Sequence, residues 1–377
     1  MNVLLTDASS LTSRQLATIL SRAGHTVHLL SPPGAILTRL TCHVSTRHLV
    51  PVFGDDPYKW LEGALSIIDS ARQINLAFDV LICTQEQVTV ISAELNRVLD
   101  TGIHVAVPSF ESLRKVMDKI FACTTLENVG LKQPESIVLS SASNFSIPSS
   151  LSPDIFPAYA KLPIATGSTG VHRVTSIADL KDIMRGRRLF ERGGKLLLQK
   201  EVPGPLLMIC GIFSHGSLLA WHACVRTREG VNGGGSVKVS CPLPIVEVEL
   251  AKLGQALKWH GALSADEWKH EKEVVFIDIN PRIVEPMNGL LAGVDLVDVL
   301  MNVSLDKDDP ALTEVEKPKV GKEGVQTHQL ILALLAAAKE GRVSLVKELW
   351  MAFRGWHSGD GMDFMGTKEA WRSLHPS

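Results

Sequence analysis

No two of the six cysteines form a CxxC pair. Cys42, Cys83, Cys123, Cys210, Cys224 and Cys241 are scattered through 377 residues, a length that needs no covalent staples, so reduced, mostly buried thiols are expected and a zinc cage is not. The first residues, MNVLLTDASS, lack a basic segment and turn polar within six positions, so no secretory signal is expected. The longest strongly apolar run, LILALLAAA near residue 335, falls well short of the ~20 residues of a membrane helix. Charge of one sign is not in excess either. Lys and Arg number 38 against 40 Asp and Glu, a net charge of -2, which supplies no surface for nucleic acid or an anionic membrane. Glycine is missing where a dinucleotide site would need it: the first strand–helix turn, TDASSLTS, has no GxGxxG, and NAD binding is not inferred. There is no internal repeat. These absences point to a soluble, cytoplasmic protein.

What is present is core material. Hydrophobic residues make up 45% of the chain and charged residues 21%, which excludes a wholly disordered chain, and the length suggests two to three domains. The opening reads as an α/β unit. VLLTDA is a short strand; Leu16, Ile19, Leu20 and Ala23 recur at helical spacing before Gly24; TVHLLSPPG, FDVLICT and IHVAVP are further bounded apolar runs. Strands alternating with helices predict a parallel, doubly wound sheet. Residues 108–135 read as helical, with Ser109 as N-cap and Gly130 as C-cap. The Ser- and Pro-rich stretch 140–153 reads as a loop. Residues 156–245 then read as strands with glycine-bearing loops, including a hairpin about His215 and Gly216, followed by a helix near 246–260, the strands GALSAD and EVVFIDINPR, and two C-terminal helices, the second with Val346, Leu349, Trp350 and Phe353, of which Leu349, Trp350 and Phe353 make either a core face, the commoner case, or a dimer surface.

The segment VVFIDINPR (274–282) carries the most chemistry. Side chains alternate along a strand, so Asp278 and Asn280 share one face while Ile277 and Ile279 take the other. Two hard-oxygen groups suit Mg²⁺, which takes one or two carboxylates with phosphate oxygens completing its shell. Arg282 follows the strand end, where a guanidinium can clamp phosphate. A second carboxylate would come from Asp266, twelve residues earlier at the end of GALSAD, or from its neighbour Glu267. Lys161, inside the apolar run FPAYAKLP, either snorkels outward or faces an anion. Gly167, Ser168, Thr169 and Gly170 follow, a turn whose amides can approach phosphate, although no Gly-Lys-Ser/Thr makes it a Walker loop. Lys119 lies on a helix. Gln199, Lys200 and Val202 end the run KLLLQKEVPG, and GVNGGGS (230–236) is a second flexible element, a lid or a plain hairpin loop. Arg226 and Arg228 are either a carboxylate clamp or exposed strand-end charges, and His260 and Glu285 are weaker substrate-side candidates.

Taken together, MDK (117–119), FPAYAKLPIATGSTGV (156–171), LLQKEVPG (197–204) and VVFIDINPR (274–282) resemble the ATP-grasp superfamily, in particular its carbamoyl-phosphate-synthase-like carboxylate–amine ligases. The resemblance spans at least residues 108–300. It implies an N-terminal Rossmann-like α/β domain (1–108), then a two-part α+β ATP-grasp fold (109–310, with a small cap at about 125–200 and a larger lobe at about 201–310), and a C-terminal helical extension (311–377) packed on the core. It implies ATP, with Mg²⁺ or Mn²⁺, as cofactors. Lys119 and Lys161 would contact phosphates, Gly167–Gly170 would cover them, and Gln199, Lys200 and Val202 would line the adenine. Asp266, Asp278 and Asn280 would bind the metal, and Arg282 would stabilise the transferring phosphoryl group or intermediate. The implied reaction makes an acyl phosphate from a small carboxylic acid and passes it to an amine. Two departures stand out: Leu206 and Leu207 lie where the family often has an acid or histidine for the ribose, and Asp278 replaces the commoner Glu. A hydroxyl or enol acceptor, or nucleotide binding without catalysis, remain alternatives on the same fold. The partners implied are small molecules, not nucleic acid or membrane, with a homodimer left open.

Overall fold

The computed structural model of the chain describes residues 1–35, 41–140, 151–165, 170–186, 194–230, 235–270, 273–305 and 317–358. The chain divides into two compact units. The larger comprises Met1–Phe110, Leu207–Ser264 and Pro281–Ser377; the smaller comprises Glu111–Leu206 and Ala265–Asn280.

The larger unit opens with β1 (Asn2–Leu5), α1 (Leu11–Arg22), β2 (Thr26–Ser31), β3 (Thr46–Leu49), α2 (Pro57–Gln73), β4 (Val80–Ile82), α3 (Val88–Ala93) and α4 (Leu95–Leu99). The four strands run in the order β3-β2-β1-β4, and every pairing is parallel, as the alternating pattern predicts. Ser10 caps α1 by accepting from the Ser13 N–H, and Gly24, at φ 85°, follows its end. IHVAVP does not make a full strand: His104 forms one parallel bridge to Val80, and Pro108, with no N–H, bounds the run. β3 escapes a hydrophobic-pattern reading because TRHL is a partly exposed edge strand with one apolar residue. The turn TDASSLTS has a local use for its amides. The Asp7 carboxylate accepts from the Ser9 and Ser10 N–H groups at 2.8 and 3.1 Å, occupying donors that a phosphate would otherwise use.

In the smaller unit the single helix expected over 108–135 is two, α5 (Phe110–Met117) and α6 (Lys119–Val129). Asp118 leaves helical geometry between them and caps α6, accepting from the Ile120 and Phe121 N–H groups. Gly130, left-handed at φ 74°, ends α6 as expected. β5 (Ser136–Ser140), β6 (Ala158–Lys161), β7 (Val171–Val174), α7 (Ile177–Gly186) and β8 (Lys195–Lys200) follow. The strands form an antiparallel sheet in the order β5-β8-β6-β7. One face buries Leu139, Ala158, Ala160, Val174, Leu196 and Leu198 against Leu180 and Met184 of α7. The period of two turns Tyr159, Lys161, Leu197 and Gln199 to the other face. Within the Ser- and Pro-rich stretch, residues 141–150 lie outside the described residues.

The chain then returns to the larger unit with β9 (Leu206–Ser214), β10 (Ser217–Glu229), β11 (Gly235–Ser240) and α8 (Pro244–Leu257). β9 and β10 pair antiparallel around a two-residue turn with both φ values positive, His215 at 46° and Gly216 at 100°, the geometry that matches strand twist in tight hairpins. β12 (Gly261–His270) runs four residues beyond the expected end at Asp266; its first four residues belong to the larger unit and the rest to the smaller, with β13 (Glu273–Asn280). Pro281 ends β13, as the sequence predicts. α9 (Met287–Leu291), α10 (Leu296–Ser304), β14 (Lys319–Val320), β15 (Gln326–His328), α11 (Leu330–Glu340) and α12 (Arg342–Ser358) complete the chain.

Of the two readings of α12, the core face is overturned for Leu349 and Trp350. Val346, Leu349 and Trp350 are 66%, 50% and 58% exposed, whereas Ala352 and the charged Glu348 are buried. Glu348 pairs with Arg228 at 2.6 Å, and that pair fixes which face of α12 turns inward. The Phe353 side chain lies outside the described residues. No described helix is long and apolar enough to cross a membrane.

Candidate functional site

The smaller unit gathers four of the predicted residues around one ammonium group. Lys161 sits on β6 diagonally across from Gln199 on β8, because Tyr159 is the residue directly opposite Gln199. Lys161 is 5% exposed. Its Nζ donates to Gln199 Oε1 at 2.6 Å and to the Ile277 carbonyl of β13 at 2.8 Å. Both acceptors are neutral. Burial therefore dominates and pushes the Lys161 pKa down to about 8; Asp278 and, more weakly, Asp266 offset part of that, and Lys119 adds to it. Gln199 is held by the Ser136 hydroxyl, to which its amide donates at 3.3 Å.

Lys119 is the first residue of α6. Its N–H donates to the Pro163 carbonyl at 2.8 Å, and its Nζ donates to Asp278 Oδ1 at 2.5 Å. The segment after α6 is tied to β13 by the Phe276 N–H on the Lys132 carbonyl, so the position of Lys119 beside Asp278 is set by backbone at both ends. Lys119 is thus mostly buried, not the solvated helix charge its sequence context suggests. Among the described residues no group of three or more His, Cys, Asp and Glu forms a metal cage. A Mg²⁺ ion here would have two carboxylates, Asp266 and Asp278, and the Asn280 amide. That donor set fits an ion that takes its remaining ligands from phosphate and water.

The glycine turn between β6 and β7 is closed at its base by the Leu162 N–H on the Gly170 carbonyl, 2.8 Å. Gly170 has no room for a side chain: a Cβ there would lie 2.5 Å from the Ala165 Cβ. Gly167, Ser168 and Thr169 lie outside the described residues, as do residues 231–234 of the second glycine loop. Beyond β8, Lys200 lies 3.5 Å from Glu135, and Val202 is half-buried. Glu201, which the sequence reading passes over, accepts from Tyr159 Oη at 3.1 Å and from the Arg173 guanidinium at 2.7–3.1 Å. The Arg173 hydrogen bond holds its carboxyl below the usual range.

The larger unit holds the other candidates, and each cation there has an acid. Arg282 is 13% exposed and pairs with Glu86 at 3.1 Å; Ser264 Oγ donates to its carbonyl at 2.8 Å. Glu285, a substrate-side candidate, pairs with Lys238 of β11, a lysine with no exposed surface. Glu285 also accepts from Gln329 Nε2 at 3.0 Å and Asn288 Nδ2 at 3.3 Å. Its backbone has φ 44°, and its N–H donates to Thr12 Oγ1 at 3.3 Å. His222 is buried nearby. Burial first, and then the Lys238 charge, lower its pKa to about 4, so it is neutral at pH 7. Arg226 and Arg228 face Glu229 at 3.3 Å and Glu348 at 2.6 Å. His260 stacks on His215 with ring centroids 4.3 Å apart, a packing role in the hairpin region.

No protein-family model matches the chain, and no curated protein matches it in sequence. Solved structures do match in fold. An L-amino acid ligase from Bacillus licheniformis aligns with TM-score 0.59 at 14% identity, over 84% of this chain and 78% of that one. A biotin carboxylase from Campylobacter jejuni, in complex with an ATP analogue, aligns with TM-score 0.63 at 15% identity, over 86% and 74%. A phosphoribosylamine–glycine ligase from Thermotoga maritima aligns with TM-score 0.59 at 13% identity, over 86% and 78%. At such identities the likeness is one of architecture, and the architecture is the one the four sequence segments imply: the chain has the ATP-grasp fold.

Proposed function

We propose that the chain is an ATP-dependent carboxylate–amine ligase, activating a small carboxylic acid as an acyl phosphate and joining it to an amine, with release of ADP and phosphate. The observation that carries this reading is the Lys161 ammonium, nearly sealed from water and bonded, among the described residues, only to the neutral oxygens of Gln199 and Ile277. A buried cation without a bonded carboxylate is costly until an anion arrives, and a nucleotide phosphate is the anion this fold receives in the biotin carboxylase complex.

The chemical difficulty is that a carboxylate must meet a triphosphate, anion against anion. Lys119 and Lys161 would bind the phosphates, Lys119 leaving Asp278 as they enter. Gln199, Lys200 and Val202 would border the base. Gly167–Gly170 would supply backbone amides. Asp266, Asp278 and Asn280 would hold Mg²⁺, which supplies charge neutralisation to the phosphates. Arg282 would stabilise the transferring phosphoryl group or the intermediate. With the reactants held in line, no side-chain nucleophile is required.

The test is direct. Purified protein with Mg²⁺, ATP, a pool of carboxylic acids and hydroxylamine is expected to release ADP and form a hydroxamate, the trapped acyl phosphate. Lys161→Met is expected to form it about 10²–10³-fold more slowly. Absence of any affinity for Mg²⁺·ATP in the wild-type protein would overturn the proposal, and ADP release that yields a phosphorylated alcohol instead of a hydroxamate would move it to hydroxyl activation.

A further inference from the structure

We propose that His28 and His48 form an acid-sensitive latch, which holds the edge strand β3 on β2 near neutral pH and releases it when the two rings are protonated. This goes beyond the ligase reading and does not depend on it.

The geometry lies within the parallel sheet of the larger unit. β3 stands at one end of the order β3-β2-β1-β4, so among the described residues β2 is its one strand neighbour. Thr46 lies opposite His28, and His48 lies opposite Leu30. His28 and His48 are therefore diagonal neighbours on one face of the sheet. Their ring centroids are 5.7 Å apart, and Phe78 packs edge-on against both, at 5.0 and 5.6 Å. The surroundings are apolar. His28 is 2% exposed and Phe78 is buried; Leu4 of β1, directly opposite His28, has no exposed surface.

What these rings lack is a partner. Among the described residues neither nitrogen of His28 has a hydrogen-bond partner, and neither does the buried Nε2 of His48. A neutral imidazole left in that state already costs free energy. An imidazolium must bury two donors and a charge, which costs far more. Burial accordingly lowers the pKa of both rings, and for His28 the His48 charge adds to it. No acid is placed to offset this. Asp79, next to Phe78, is engaged by the Asn2 N–H at 2.7 Å. α2 turns Trp60, Leu61, Ala64, Leu65 and Ile68 inward, and its charged residues Lys59, Glu62, Asp69 and Arg72 are exposed. His104, which bridges to Val80, is exposed too. β1 and β4 carry no charged side chain, and along β3 Arg47 alternates to the face away from His48.

The strand that gives way is β3. It is four residues long, and its one apolar side chain, Leu49, is 72% exposed. Its attachment therefore rests on backbone bonds to β2 and on the His48 ring. Releasing it carries His48 into water and opens a path for water to His28. Each ring can then take up a proton that the closed strand withholds. The open form binds more protons, so opening grows as pH falls below the ordinary histidine value of 6.5, by up to about tenfold per pH unit for each ring.

Amide hydrogen exchange of the full chain tests this, read by mass spectrometry from pH 7.5 to pH 5 and corrected for the intrinsic pH dependence of exchange. Protection of β3 is expected to fall at least about tenfold between pH 7 and pH 5, while that of β1 changes less than about twofold. His48→Phe keeps a ring and removes its nitrogens, and is expected to abolish most of the β3 response. His28→Phe is expected to do the same; should it fail to fold, the half-buried position 48 decides. Unchanged β3 protection down to pH 5, or an undiminished response in folded His48→Phe, overturns the latch. So does loss of β1 and β3 protection together, which is global unfolding. Zn²⁺ alone is added at pH 7.5 as a further arm: β3 protection that rises with micromolar Zn²⁺ assigns the ring nitrogens to a metal ion instead and overturns the proposal. None of these results bears on nucleotide binding, so the ligase reading stands or falls separately.

Discussion

Lys161 in the smaller unit and Lys238 in the larger are both buried, yet their surroundings differ in kind. Lys238 has a carboxylate, Glu285, which Gln329 and Asn288 also hold. Lys161 has an amide oxygen and a main-chain carbonyl. A buried lysine with its own acid is a finished structural element, and removing one partner leaves a charge stranded. A buried lysine on neutral oxygens is unfinished: its charged form is disfavoured, and an incoming anion restores it. Burial alone does not separate the two roles; the identity of the acceptor does.

The sharpest way to break that comparison is to replace each lysine by methionine. Lys161→Met is expected to lower ATP turnover by about 10²–10³-fold, the usual cost of removing one preorganised donor, while leaving thermal stability equal or higher. Lys238→Met is expected to cost about 3–5 kcal/mol of stability, because Glu285 is left without its cation; denaturant unfolding measures it. If both variants lose stability and neither changes nucleotide affinity, the distinction fails.

Acidity sharpens it next. The folded-state pKa of His222 is about 4 against 6.5 when unfolded. The unfolded chain therefore binds more protons between those values, and stability is full above pH 6.5 and lost as pH falls towards 4, by on the order of 3 kcal/mol. His222→Gln should flatten that slope in urea titrations run from pH 7 to pH 4. Lys161 has its folded pKa at about 8 against 10.5. Without nucleotide, stability should rise with pH across that window, again because the unfolded chain binds more protons there. Nucleotide binding near pH 8.5 should take up roughly half a proton or more as the phosphates restore the ammonium. Calorimetry in buffers of different ionisation enthalpy reads the uptake, and Lys161→Met should abolish it.

The parts of this molecule that local pattern controls are legible in its sequence. The β1–α1–β2 opening, the His215–Gly216 hairpin, the Gly130 cap and the strand FIDIN each follow from periodicity or a turn residue. Lys161 was legible as a dilemma, a charge inside an apolar strand, and the diagonal Gln199 resolves it. What depends on distant pairing was not. Lys119 finds Asp278 across 159 positions. Lys238 finds Glu285 across 47 positions. No local signal marks Glu86 as the partner of Arg282 or Glu201 as the partner of Arg173. The exposed face of α12 was misread for the same reason. Its apolar spacing allows either face inward, and the pairing of the buried Glu348 with Arg228 decides.

The backbone passes between the two compact units at four places, after Phe110, Leu206, Ser264 and Asn280. The smaller unit is therefore discontinuous, and no uninterrupted excerpt of the gene encodes it alone. A truncated product ending at Leu206 would retain Lys119, Lys161 and Gln199 but lack Asp266, Ile277 and Asp278. Reconstituting the proposed phosphate site outside its host would require splicing 111–206 to 265–280, or co-expressing the pieces, and protease nicking near residue 206 or 264 should be judged by whether the severed parts stay associated.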